Sequence, residues 1–410
     1  MDIQNFSALF NTPARREAFL KLIKDNKTKH IFIQGLEGSS IALFFSNLLE
    51  HKQAHILIAN DLDEAGYLYN DLVQINGNDH ILLFPSGYKR DIKYGQPDPP
   101  SEILRTEVLN RLCQKGESLL IVTYPEAIAE KVVPVNMLSE QTLHIDKNSK
   151  CDIITLSDKL RERGFEEVDY VYEPGQFAVR GSILDVFSYT NELPYRIDFF
   201  GKEVESIRTF EVETQLSTGK LEEVYIVANV CGQEASGISI LDFIDKNTIL
   251  ICHNLSWVID RISAIASESL SEQTLIAEEG DRYAMQKIID VTAFQKKITT
   301  FRRIDYGTSS EANAPAVIRF NCAPQGVYHK NFDLVSQSFS QFIEKGYTLY
   351  ILSDSEKQIE RLQAIFEERG DSISFTPVLK TLHEGFIDND LKIGCFTDLS
   401  LIHISEPTRL

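Results

Sequence analysis

The sequence is short of the residues that mark several large protein classes. Six cysteines stand among 410 residues. No two form a C-x-x-C pair or share zinc spacing with a histidine, so neither a structural zinc site nor a disulfide framework is expected. Reduced thiols in a cytosolic chain is the reading that remains. No apolar run is long enough to span a bilayer. The start, M-D-I-Q-N-F-S, has no basic stretch followed by an apolar one, so no secretory leader is expected. Positive charge is scarce, with 41 Lys and Arg against 60 Asp and Glu and a net charge of −19. Such a chain has no general attraction for phosphate backbones, which argues against nucleic acid as the main partner. Internal repeats and low-complexity tracts are absent, as are G-x-S-x-G and H-E-x-x-H. No catalytic residue, metal site or cofactor is therefore expected.

What is present is an ordinary globular composition, 43% hydrophobic and 25% charged, at a length that suits about two to four domains. From His30 to about Val132, apolar runs alternate with helical patterns. His30–Gln34, His55–Ala59, His80–Phe84 and Leu119–Val122 read as strands. Ser39–Leu49, Leu62–Val73 and Ser101–Cys113 read as helices, the last with Ser101 as its N-cap. Apolar strands separated by helices imply a mostly parallel sheet covered on both faces. Residues 85–100, rich in proline and glycine, read as a long irregular loop. From Asp169 to Ala228 the alternation stops, and strands and turns suggest a small inserted domain. Residues 151–230 hold 8 Lys and Arg against 16 Asp and Glu, so arginines stand out there. Alternation resumes at Thr248–Cys252, while 268–312 is weakly patterned. A last unit carries a helix over Asn331–Glu344, a strand at Thr348–Leu352 and a second helix. That helix is opened by the capping box Ser353-x-x-Glu356 and stopped at Gly370. Lys392–Phe396 is its final strand.

The first strand runs into Gly35-Leu-Glu-Gly38-Ser-Ser40-Ile41-Ala42 and then a helix, which is where a phosphate-binding loop belongs. A working loop reads G-x-x-x-x-G-K-[ST], because its backbone cradles phosphate, the lysine reaches the β- and γ-phosphates and the hydroxyl holds Mg²⁺. Counted from Gly35, Ser40 replaces the second glycine, Ile41 the lysine and Ala42 the hydroxyl. Glu37 adds a negative charge. ATP hydrolysis is not expected at such a loop, although it keeps Gly35 and Gly38. Asp63-Glu64 lies inside a helical pattern and reads as a solvated face rather than a metal-binding pair.

The stretch from Glu173 to Phe210 reads as strands joined by turns at Pro174-Gly175, Asn191–Pro194 and Gly201-Lys202. Along Tyr195–Phe200, period two puts Tyr195, Ile197 and Phe199 on one face and Arg196, Asp198 and Phe200 on the other. The first set is a core face. The second sets an aromatic beside an arginine, the residue types that anchor protein interfaces. Pattern alone also admits Phe200 buried under a loop and Arg196 as a solvated charge.

The run E-P-G-Q-F-A-V-R-G-S-I-L-D-V-F, with P-Y-R-I-D-F-F-G-K-E-V-E-S-I-R-T-F-E-V-E-T-Q after it, closely resembles the bacterial transcription-repair coupling factor family. It resembles the excision-repair subunit UvrB more loosely. F-P-S and I-L-R-T-E-V-L-N-R-L are similar to the coupling factor's first domain. The resemblance implies an α/β fold: a helicase-like parallel-sheet domain with a degenerate phosphate loop, interrupted by a small mainly β (α+β) inserted domain and followed by a second small α/β domain. The expected divisions are 1–147, 148–230, 231–328 and 329–398, with 399–410 as a poorly ordered, non-native tail. The resemblance further implies that the inserted domain binds UvrA through Arg180, Arg196 and Phe200. RNA polymerase and DNA would be partners only through domains outside this chain, which would also contact it within the full protein. The implied function is a non-catalytic, cytoplasmic adaptor that recruits UvrA to stalled transcription. A UvrB-like ATPase that loads on damaged DNA is one alternative, opposed by Ile41 and Ala42. A DNA-binding module is another, opposed by the charge.

Overall fold

The computed structural model describes residues 1–25, 27–88, 98–114, 116–140, 142–147, 150–191, 193–228, 237–273, 288–308, 316–328, 331–398 and 401. Three sheets and a ribbon organise it. The largest is a seven-stranded parallel sheet in the order Ala316–Arg319, His30–Gln34, Arg302–Gly307, Ile249–Cys252, Ala54–Ile58, Leu119–Thr123 and Ile81–Leu83. Its strands are buried runs such as Ile31–Ile33 and Leu119–Val122, as expected when both faces are covered. Arg302–Gly307 lies near the middle of this sheet, yet it falls in the weakly patterned stretch. Its charged start, Arg302-Arg303, hides a strand whose inner half, Ile304–Gly307, is buried. Arg302 spends its guanidinium on the carbonyls of Ile23 (2.8 Å) and Leu22 (3.2 Å) instead of on solvent.

The helix after the first strand is shorter than its pattern suggests. It runs Ser40–Phe45 and tightens into a 3₁₀ turn over Ser46–Glu50. The Leu62–Asn76 helix is capped by Asp61, whose Oδ1 accepts from Glu64 N at 2.9 Å, while Glu64 reaches back to Asn60 N at 2.6 Å. The Asp63-Glu64 pair thus lies in the capped first turn of this helix, where acidic side chains suit the exposed N–H groups. The third helix starts at Pro99, with Asp98 in the N-cap position in place of Ser101. Proline at N1 suits a helix start, because that N–H has no partner there. Most of the irregular-loop expectation, 89–97, lies outside the described residues.

The second sheet is six-stranded, in the order Ser217–Leu221, Glu203–Phe210, Tyr195–Phe200, Ile183–Val186, Gln176–Arg180 and Glu166–Glu167. It is antiparallel except for its last pair. A two-stranded ribbon, Thr142–Asp146 against Glu223–Val227, carries the chain in and out. Leu143, Ile145, Val224 and Ile226 pack with Phe177, Leu184, Ile197 and Phe199 in one core. That core starts upstream of the expected boundary at 148.

The third sheet has five strands, Cys322–Pro324, Phe386–Asp388, Ile393–Thr397, Thr348–Leu352 and Thr376–Val378. Helices Phe332–Glu344 and Glu356–Glu368 cover one side, with Val335, Phe339, Ile359, Leu362 and Phe366 buried. The cap of the second helix is Ser355, whose Oγ accepts from Gln358 N at 3.4 Å. Ser353 instead donates to Asp398 Oδ2 at 2.6 Å. Of the segment 399–410 only Leu401 is described, and it is buried in this core. The other side of the third sheet shares the core of the first. Two N-terminal helices, Ile3–Phe10 and Pro13–Lys24, bind the two together. Phe6 lies 5.2 Å from Tyr350, Phe10 lies 5.3 Å from Phe386, and Arg15 pairs with buried Asp388 at 2.6 Å.

Candidate interaction surface and the phosphate-loop position

The strand Tyr195–Phe200 alternates as its sequence predicts. Tyr195, Ile197 and Phe199 are buried, and Phe200 is 78% exposed. Phe200 is therefore not covered by a loop. Antiparallel register sets Asp185 opposite Arg196 on one side and Arg208 opposite it on the other. Arg196 donates from Nε to Asp185 Oδ1 at 2.7 Å and from Nη2 to Oδ2 at 2.8 Å, the paired geometry that suits guanidinium and carboxylate. Its Nη1 donates to the Gln215 carbonyl at 3.0 Å, and the guanidinium lies 4.3 Å over the Phe210 ring. Arg180, two strands away, donates to the same carboxylate and sits 4.9 Å from the Tyr170 ring. Asp185 is fully buried, while the Arg180 and Arg196 side chains are 33% and 14% exposed. The Asp185 hydrogen bonds hold the Arg196 guanidinium above its ordinary pKa. Farther along the face, Asp198 accepts from Arg208 and from Ser206 Oγ (2.7 Å).

The structure thus brings Arg180 and Arg196 together on one carboxylate. Phe200 stands apart, four residues beyond Arg196 on the same strand face, a separation of roughly 13 Å for an extended chain. Tyr170, Tyr172 and Leu216 are also exposed on this unit. Exposed aromatics beside organised arginines have the composition of a protein contact surface. Sequence reasoning placed Asp198 on this face but passed over Asp185 and Arg208. Their signal was the strand period, since the turn between Val186 and Tyr195 sets Asp185 across from Arg196.

At the phosphate-loop position, Gly35 and Gly38 both take positive φ, +81° and +52°. A Cβ on Gly35 would collide with the Phe320 carbonyl, and one on Gly38 would lie 2.6 Å from the Gly385 carbonyl. Four of the loop amides donate to protein oxygens. Glu37 N donates to Ser40 Oγ (2.9 Å), Ser39 N to Glu384 O (3.2 Å), Ser40 N to Glu37 O (3.2 Å) and Ile41 N to Gly38 O (3.2 Å). Ser40 and Ala42 are buried. Ser39 Oγ donates to Asp71 Oδ2 at 2.5 Å and accepts from Glu384 N at 3.0 Å. Asp71 Oδ1 accepts from His383 N at 2.7 Å. Burial pushes the Asp71 carboxyl up to about 6, against the pull of these hydrogen bonds. Burial also raises Glu384, with Glu37 adding to the effect.

Among the described residues, one group has metal-ligand types close together. His144 Nε2 lies 2.8 Å from Glu223 and 3.4 Å from Asp146 on the entry ribbon. All three are exposed, and His144 Nε2 is within hydrogen-bonding distance of Glu223. No helix among the described residues is long and apolar enough to cross a membrane.

Residues 143–230 match the UvrB interaction domain family. The transcription-repair-coupling factor of Staphylococcus aureus is 22% identical over 442 residues, covering 91% of this chain and 38% of that protein. That of Staphylococcus epidermidis is 20% identical over 422 residues, covering 87% of this chain and 35% of that protein. The chain therefore spans little more than a third of the length of these relatives. The chain is thus similar to the transcription-repair-coupling factors over most of its length, and to the UvrB interaction domain family over residues 143–230.

Proposed function

We propose that this chain is a non-catalytic adaptor in transcription-coupled nucleotide excision repair, and that its inserted unit recruits UvrA. The observation that carries the reading is the coincidence of the matched segment with the six-stranded sheet. The outer face of that sheet leaves Phe200 78% exposed on the same strand face as Arg196, one of two arginines organised by Asp185. In this reading Phe200 and Arg180 touch UvrA, and Arg196 holds the face in shape. The occupied amides at the phosphate-loop position support the non-catalytic part. RNA polymerase, DNA and the remaining domains would be engaged outside this chain. The units are proposed as 1–147 with 231–328, 148–230 with the entry ribbon from Thr142 packed on its core, and 329–398 with Leu401 buried against it. Calorimetric titration of the chain with purified UvrA tests the reading. Saturable binding that weakens about 30-fold or more in Phe200→Ala is expected for a hot-spot aromatic. A folded chain that shows no heat of binding would overturn it.

A further inference from the structure

The phosphate-loop position is not an empty relic. The turn Leu382–Gly385 of the third sheet is seated on it. Leu382 is buried in the shared core, and Gly385 leaves no room for a side chain at Gly38. His383 stacks on Tyr67 with ring centroids 3.4 Å apart and planes 9° from parallel. Tyr67 and Asp71 are one helical turn apart on the Leu62–Asn76 helix, so one helix face meets the turn twice. Ser39 and Glu384 exchange two hydrogen bonds, N–H to carbonyl one way and N–H to hydroxyl the other. The Ser39 hydroxyl in turn donates a hydrogen bond to Asp71, which also accepts from the His383 amide. The Ser39 hydroxyl, both Asp71 carboxylate oxygens and the His383 and Glu384 amides are all paired, as a buried joint requires.

We propose that the former phosphate loop is an intramolecular docking socket for the Leu382–Gly385 turn, with Asp71 as its shared acceptor. The seated turn, and not the missing lysine alone, closes the position to nucleotide. It also latches the third sheet to the first. A phosphate would need the Ser39 amide and the space over Gly38, both of which the turn takes. This inference is independent of the adaptor reading.

Hydrogen exchange on the full chain tests the latch. Tyr67→Ala with Asp71→Ala removes the stack and the acceptor. Amides in 36–43 and 381–386 should then exchange about tenfold faster or more, while 195–210 on the separate sheet keeps its native rate. Native exchange in both segments would overturn the latch. If the double variant also loses protection at 195–210, Tyr67→Ala alone carries the same comparison. A second experiment addresses closure. The loop is rebuilt by Ser40→Gly, Ile41→Lys and Ala42→Ser, and titrated with a fluorescent ATP analogue and Mg²⁺. No saturable binding is expected while the turn is seated, and saturable binding is expected once the latch substitutions are added. Binding by the rebuilt loop with native exchange at 381–386 would show that the lysine alone was missing, and would overturn the closure. So would a rebuilt, unlatched and folded chain that still fails to bind.

Discussion

Arg180, Arg196 and Phe200 should separate when stability and affinity are measured side by side. Arg196 is 14% exposed and joined at both terminal nitrogens and Nε to protein oxygens. Truncating it to alanine strips a fully buried Asp185 of its two-point partner. Removing one member of a buried ion pair costs about 3–5 kcal/mol. Arg180 still reaches the same carboxylate, so the lower end, about 3 kcal/mol, is the better figure, with the stacking on Phe210 adding up to about 1 kcal/mol. For a unit of this size, that lowers the melting temperature by roughly 10–30 °C. Phe200, 78% exposed, has little burial to lose, so Phe200→Ala should shift stability by no more than about 0.5 kcal/mol. Its cost should appear only in affinity for UvrA. Differential scanning calorimetry and titration calorimetry on the same preparations read the two effects. Arg196→Ala with an unchanged melting profile would refute the argument that this arginine is a strut. Phe200→Ala with native affinity would refute its role as an anchor.

Further expected outcomes concern the buried charges. Arg105 pairs with Glu130 at 3.2 Å, donates to the Pro85 and Ala127 carbonyls and lies 4.2 Å over Phe84. Arg105→Ala should cost about 3–5 kcal/mol in urea unfolding, and Arg105→Lys should recover little because the fork of donors is lost. Asp71 ionises near 6 in the fold against 3.8 as its ordinary value. Its folded pKa is raised, so its stabilising contribution is whole below about pH 4 and is lost as pH rises toward 6. The loss amounts to about 3 kcal/mol. The stability difference between the native chain and Asp71→Asn should move in that window and level off above it. Burial raises the Glu384 carboxyl at the same joint, with the nearby Glu37 charge adding to the effect. A difference that stays flat from pH 4 to 7 would contradict this. Asp185→Asn should weaken UvrA binding even though its side chain is wholly buried, because two arginines lose the carboxylate that aims them. Native affinity with a native melting temperature would contradict that.

The parts of the fold that were legible were those where burial acts on short, uniform runs. His30–Gln34 and Thr348–Leu352 are strands with the predicted bounds, because apolar residues on both faces leave few other conformations. The Tyr195–Phe200 face was legible because one side of that sheet is wet and the period shows. Arg302–Gly307 was not, because long-range partners neutralise its arginines and nothing local announces them. Capping was misread in two places for a related reason. Ser353 and Ser101 have the right residue type, but Ser355 and Asp98 occupy the first helical boundary, and the hydroxyl of Ser353 is drawn away to Asp398. The N-terminal helices also went unread. Their purpose is tertiary, since Phe6 and Phe10 are buried against Tyr350 and Phe386, more than three hundred residues away.

The candidate site divides along the same line. Sequence pattern exposes residue types on a face, and Phe200 is such a residue. It does not reveal which charges are already spent. Arg196 and Arg180 resemble one another in sequence, both arginines on strands facing outward, yet one is tied at every nitrogen and the other keeps a third of its side chain in solvent. The phosphate loop shows the converse. Its sequence records a loss of lysine and hydroxyl, while its geometry records a new occupant that takes the Ser39 amide and the space above Gly38. A loop that had merely lost its ligand would be expected to drift in conformation. This one keeps two positive-φ glycines against neighbouring carbonyls. That constraint is accounted for by packing against Phe320 and Gly385, with no nucleotide needed to explain it.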